Sequence, residues 1–206
     1  MAQLPPVDAR SLPTLSLGPD LSRPWKFIPS IVIMSASDDP RLPVAYEVIA
    51  FWNSVLANLG SSFRLGQVRH TVENIPKSEL RSKGFPALDR ISGIHGDIFV
   101  TLSDLRYSSF TTYSVWDWKA LVVIGSDLAY VAPRPNGPQN MIAHELGHAI
   151  GLGHNSEAAA LMCGGAARCS SKAAANNGFL PLTRGDRLRL LEMYPPDWQA
   201  TEAPRE

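Results

Sequence analysis

Residues 139–155 read QNMIAHELGHAIGLGHN, and the fold of the whole chain turns on this stretch. His144 and His148 stand four positions apart; on a helix advancing ~100° per residue they differ by about 40° in direction and about 6 Å in height, so two imidazoles point at one place. Zinc takes nitrogen ligands at roughly 2 Å in a tetrahedral arrangement, and a catalytic zinc keeps one position for water. Glu145, next to the first histidine, is placed to reach that water rather than the metal. His154 is the candidate third ligand, yet a continuous helix would carry it ~240° around from His148. The helix therefore has to end between them. Gly151 and Gly153 are the expected means, since glycine takes the left-handed conformation that lets a chain reverse at a helix C-terminus.

The full pattern H-E-x-x-H-x-x-G-x-x-H arises by chance in a chain of this size with a probability on the order of 10⁻⁵. The segment His144–His154 resembles the zinc signature of the metzincin clan of metalloproteases. Met162, eight residues after His154 within AALMCGG, resembles the clan's Met-turn, the methionine that forms an apolar floor beneath the zinc. The Ala160-Leu161-Met162 context is most similar to the matrixin branch, and Leu182-Thr183 through Asp186 and Leu190 resembles the start of the matrixins' C-terminal helix. Departures are also visible. Asn155 stands where matrixins usually carry serine, Cys163-Gly164 replaces their Tyr-Pro, no tyrosine lies two positions beyond Met162, and no cysteine precedes the active-site helix. No acidic, glycine-rich calcium loop is recognisable, which leaves structural Ca²⁺ open and fits a small microbial protease better than an animal one.

The resemblance implies an α+β, metzincin-like zinc protease domain with a mixed sheet of about five strands, an active-site helix and a C-terminal helix. It implies one catalytic Zn²⁺ on His144, His148 and His154. Glu145 would act as general base and then general acid in the hydrolysis of peptide bonds. An extended peptide would lie antiparallel to an edge strand, for which Ser108–Trp116 is the local candidate, and residues Gly164–Pro181 would wall the specificity pocket. A second reading keeps the metal and drops the catalysis: a structural zinc-binding, protein-interaction module. Such a site has no need of Glu145.

Outward from the motif, composition sets bounds. The chain has 206 residues, with 19 Lys plus Arg against 19 Asp plus Glu and 45% apolar residues. A neutral chain offers no electrostatic footprint for nucleic acid, and the apolar fraction suffices for a core. The longest apolar runs, such as Ala120–Ile124, are far shorter than the ~20 residues of a membrane span. The expected partner is a protein or peptide substrate, and the expected state a monomer. Residues 1–24 hold five prolines and read as an arm or pro-segment remnant. Residues 25–195 form the catalytic domain and 196–206 a tail. Strands are expected at Lys26–Ser35, Phe63–Val72, Gly96–Leu102, Ser108–Trp118 and Ala120–Gly125, with a helix over Leu42–Leu59 stopped by Gly60. Lys77–Ile91 reads as a loop or short helix, and Pro133–Pro138 as a loop.

Some residues keep two readings. Met162 is also a plausible gap-filler of the core. Cys163 and Cys169, the only cysteines, form either a disulfide worth about 2 kcal/mol or two thiols. The paired reading suits a secreted or periplasmic protein whose leader is absent from this chain, with a cytoplasmic location remaining open. Tyr113, Trp116 and Trp118 either line the cleft or pack in the core, while His70 and His95 are lone histidines with surface or hydrogen-bonding roles.

Overall fold

Three strands are buried at every position: β1 (Ile31–Met34), β3 (Ile98–Leu102) and β5 (Ala120–Ile124). Runs such as IVIM, IFVTL and ALVVI suit strands covered on both faces, because β-branched side chains pack well on each side of a pleat. With β2 (Val68–Thr71) and β4 (Phe110–Tyr113), both only partly buried, they make a five-stranded sheet in the order β2-β1-β3-β5-β4. β4 alone runs antiparallel, on β5 at one edge. The computed structural model describes residues 24–80, 85–104, 106, 109–114, 118–126, 137–164, 169 and 178–201.

Successive strand residues feed two cores. Ile31, Ile33, Ile98, Val100 and Val122 face α1 (Leu42–Asn58), α4 (Gly137–Ala149) and α5 (Arg184–Met193). Val32, Met34, Phe99, Leu121 and Val123 face α2 (Lys77–Leu80) and α3 (Phe85–Ser92). Helix α1 buries Ala45, Val48, Ile49, Trp52 and Leu56 at helical spacing and lies against α4, where the Trp52 indole N–H donates to the Ala143 carbonyl at 3.1 Å. Helix α5 begins in a capping box: the Thr183 hydroxyl accepts from the Asp186 N–H, and the Asp186 carboxylate accepts from the Thr183 N–H.

The α+β architecture and the five-stranded mixed sheet are as the sequence led us to expect, with shifted boundaries. β1 is confined to Ile31–Met34, because Trp25 and Phe27 ahead of it turn into the core as irregular chain. β2 takes only the end of its expected span, since Phe63 and Leu65 are buried from a loop whose Leu65 N–H is held by the Asn53 side chain. Gly137 and Pro138 open α4 instead of closing a loop; proline fits a first turn, where its missing N–H costs nothing. The arm up to residue 23, Ser108, Trp116, most of the 164–181 wall and residues 202–206 lie outside the described residues. Among the described residues no helix is long and apolar enough to cross a membrane.

One buried cation ties the carboxyl ends of the central strands together. The Arg41 guanidinium donates to the carbonyls of Ser103, Ile124 and Gly125 at 3.1–3.3 Å and pairs with Asp39 at 2.6 Å. Burial pushes the Asp39 carboxyl up, but the hydrogen bonds and charge of Arg41 prevail and hold it below its ordinary value. Removing Arg41 strands the carboxylate and takes a donor from three strand-end carbonyls, of which Ile124 keeps the Ser103 N–H. Arg41→Ala should therefore cost about 3 kcal/mol, read as a lower urea midpoint. The part owed to Asp39 is present at neutral pH and fades as pH falls through the depressed carboxyl pKa.

Candidate metal centre

Helix α4 is buried along its length from Asn140 to Ala149, so its polar side chains need partners inside the protein. Its end is a two-bond turn: the Leu152 N–H donates to the Gly147 carbonyl at 3.0 Å and the Gly151 N–H to the His148 carbonyl at 2.7 Å. This is the Schellman arrangement, with Gly151 at φ +99° as the left-handed residue. Gly153 does not share that role; its φ is not positive, and one left-handed residue suffices to reverse the chain.

Side chains from distant elements add to this turn, as a second donor to His148 and as the donors to Ala149 and Ile150. Tyr113 donates its hydroxyl to the His148 carbonyl. The Trp25 indole reaches Ala149 at 2.8 Å and the Tyr194 hydroxyl reaches Ile150 at 3.0 Å.

Beyond this turn His154 returns to the helix. The Nε2 atoms of His144, His148 and His154 lie 3.1–3.2 Å from one another. Each buried ring has its other nitrogen fixed: His144 Nδ1 donates to the Leu161 carbonyl at 2.8 Å and His148 Nδ1 to the Leu152 carbonyl at 2.7 Å. A carbonyl only accepts, so both Nδ1 atoms carry the proton and both Nε2 atoms present lone pairs. Burial, with help from the neighbouring His154, pushes His148 down to about 4, against the Leu152 carbonyl, and burial also lowers His154. Neutral rings with lone pairs meeting at one point repel unless a cation sits among them. Tetrahedral zinc with bonds near 2.05 Å sets its nitrogens about 3.3 Å apart, close to the spacing observed. These three residues are the metal-competent group among the described residues.

Glu145 is 5% exposed and stands outside that group. Its Oε2 lies 2.9 Å from the Thr111 hydroxyl, which also sits 2.8 Å from the Glu145 carbonyl. Burial lifts its carboxyl from the ordinary 4.5 to about 7, against the lowering effect of the Thr111 hydrogen bond.

Glycines shape the walls. A Cβ at Gly147 would lie 2.7 Å from Met162 Sδ and 3.0 Å from Trp52, so the missing side chain admits the Met162 sulfur against α4. A Cβ at Gly164 would fall 2.2 Å from Cδ2 of His154. Gly164 follows Cys163, which is disulfide-bonded to Cys169. The strap is further pinned by Asn155 N–H to the Met162 carbonyl at 2.8 Å, and the Asn155 amide donates to Asp186 at 2.9 Å, at the start of α5.

The structure thus gathers the three histidines, Glu145 and Met162 in one region. Tyr113 is spent on the helix end, and Trp118 carries Lys26 over its ring. His70 bonds Ser35 at 3.1 Å. Sequence reasoning missed Thr111, Trp25, Tyr194 and the Asp186–Asn155 link. The capping pattern T-x-x-D at Thr183–Asp186 was the one signal available for the last.

No known family profile matches the chain, and no curated protein sequence matches it. Solved structures do. The α+β fold is similar to that of metalloproteinase-II from Bacteroides fragilis, at 13% identity and a TM-score of 0.51, over 82% of this chain and 53% of that one. Archaemetzincin from Methanopyrus kandleri aligns at 18% identity and a TM-score of 0.42, over 80% of this chain and 94% of that one. At 13% identity the likeness to the Bacteroides protein speaks for the fold alone, and the chain spans about half the length of that protein.

Two outcomes follow from the packing and the charge. Gly164→Ala should displace the His154 ring and weaken zinc binding at least about tenfold, whereas Gly153→Ala, which meets nothing within 4 Å, should leave it unchanged; a zinc titration compares them. Glu145→Gln keeps the shape and the Thr111 contact without the charge. Above the raised pKa of about 7 the folded protein must hold a buried carboxylate. The metal-free glutamine variant should therefore be the more stable in urea by about 3 kcal/mol near pH ~8, with the difference vanishing towards pH ~4.

Proposed function

We propose that this chain is a zinc-dependent endopeptidase of the metzincin type, with His144, His148 and His154 as ligands and Glu145 as the proton-transfer group. The observation that carries the reading is the meeting of three Nε2 atoms at 3.1–3.2 Å on and beside one buried helix, with those of His144 and His148 fixed as lone-pair bearers by their Nδ1 bonds. Zinc held there would polarise a peptide carbonyl and lower the pKa of a bound water toward ~7. Glu145 takes a proton from the attacking water and hands it to the leaving amine, so one carboxyl serves as base and then as acid. Products are a carboxylate and an amine. Met162, seated against Gly147, serves as the apolar floor of the Met-turn, and the Ala160-Leu161-Met162 context favours the matrixin branch on sequence grounds alone. An extended peptide adds as a strand along β4. The Cys163–Cys169 bridge suits an oxidising compartment outside the cytoplasm.

Zinc quantification paired with cleavage profiling on casein and a peptide library tests the reading. Wild type should hold one zinc and cut in a chelator-sensitive way; Glu145→Ala should hold the same zinc and lose roughly 10²–10⁴-fold in cleavage rate. Undiminished cleavage by the variant removes Glu145 from the mechanism. A zinc-loaded but inactive wild type favours the interaction module instead.

A further inference from the structure

The edge strand β4 presents its residues in two alternating ways. The Ser114 N–H donates to the Lys119 carbonyl at 2.9 Å, which marks that facing pair as hydrogen-bonded. The register then makes Thr112↔Leu121 and Phe110↔Val123 hydrogen-bonded as well, and Thr111↔Val122 and Tyr113↔Ala120 the intervening, non-bonded pairs. The main-chain N–H and C=O of Thr111 and Tyr113 consequently face away from β5, toward the edge of the sheet, where no further strand pairs among the described residues. Their side chains face α4: the Thr111 hydroxyl meets Oε2 of Glu145 at 2.9 Å and its carbonyl at 2.8 Å, and the Tyr113 hydroxyl donates to the His148 carbonyl.

We infer that Thr111 is a positioning residue with two separable tasks: its main chain belongs to the edge along which a peptide strand adds, and its hydroxyl aims the carboxyl of Glu145. The inference rests on the peptidase reading of the same site. A single residue then fixes both the register of the peptide and the direction of the proton-transfer group, so the scissile bond and Glu145 are placed from one reference point. The Thr111 hydroxyl has one proton. It donates to Oε2 when the carboxyl is ionised, and it accepts from Oε2–H while donating to the main-chain carbonyl when the carboxyl is protonated. In either state it restricts the rotamers of Glu145.

The two tasks come apart under substitution. Thr111→Val keeps the β-branched shape and the main-chain edge but removes the hydroxyl; Thr111→Ser keeps the hydroxyl. With zinc-loaded protein and a fluorogenic peptide, Thr111→Val should lower kcat by roughly 10–100-fold at nearly unchanged KM and unchanged zinc content, and Thr111→Ser should recover most of the loss. A loss carried by KM, or equal losses in both variants, would overturn the inference. A second measurement needs no activity. In metal-free protein the fall in urea midpoint caused by Thr111→Val should shrink when Glu145 is already alanine, because the contact to Oε2 is then gone in both. Equal falls in the two backgrounds would show that Thr111 does not hold the carboxyl. An inactive zinc-loaded wild type would reject the peptidase reading, while this stability comparison still decides whether Thr111 holds Glu145.

Discussion

The constraint on which the rest of the structure depends is the ending of α4 inside the protein. A helix that stops in a core leaves carbonyls with no water to meet them, and each must find a donor. Gly147 and His148 are served by the reversing turn, with Tyr113 adding a second donor to His148, and Ala149 and Ile150 are served by Trp25 and Tyr194. The donors come from the segment before β1, the edge strand and the segment after α5. Satisfying this one helix end therefore draws together three parts of the chain that lie far apart in sequence. The same turn returns His154 to the face from which it would otherwise be carried away.

Second to this is the use of backbone carbonyls as orienting groups. The Leu152 and Leu161 carbonyls fix the tautomers of His148 and His144, and both belong to the turn and strap that follow the helix. Ligand direction is thus set by local chain geometry rather than by a carboxylate of the outer shell. Gly164 and Gly147 complete the arrangement by omission, one admitting the His154 ring and the other the Met162 sulfur.

What the sequence made legible follows from how local the cause is. The spacing of His144 and His148, the helix α1 pattern and the buried runs of β1, β3 and β5 depend on periodicity, which a chain displays openly. The helix end was legible as a necessity, and Gly151 met it, although Gly153 was given a share it does not have. The supports were not legible. Thr111 lies 34 positions from Glu145, and Trp25 lies 124 from Ala149; neither residue type announces a partner at such distance. The ends of β1 and β2 were overestimated for a related reason: Phe27, Phe63 and Leu65 are apolar because they fill the core, and apolar residues in irregular chain look like strand.

The separation of these supports bears on the order in which the molecule comes together. All three imidazoles lie within residues 144–154, so a chain growing from its N-terminus possesses every ligand before Asp186 and Tyr194 exist. The Asn155–Asp186 and Tyr194–Ile150 bonds can form only once α5 and its flanks have docked, and the Trp25–Tyr194 bond closes a separation of 169 residues. Contacts this distant along the chain are late ones, because ordering the intervening loop precedes any gain from them. The supports of the site are thereby tied to the docking of the C-terminal helix, although all three histidines precede it in the chain.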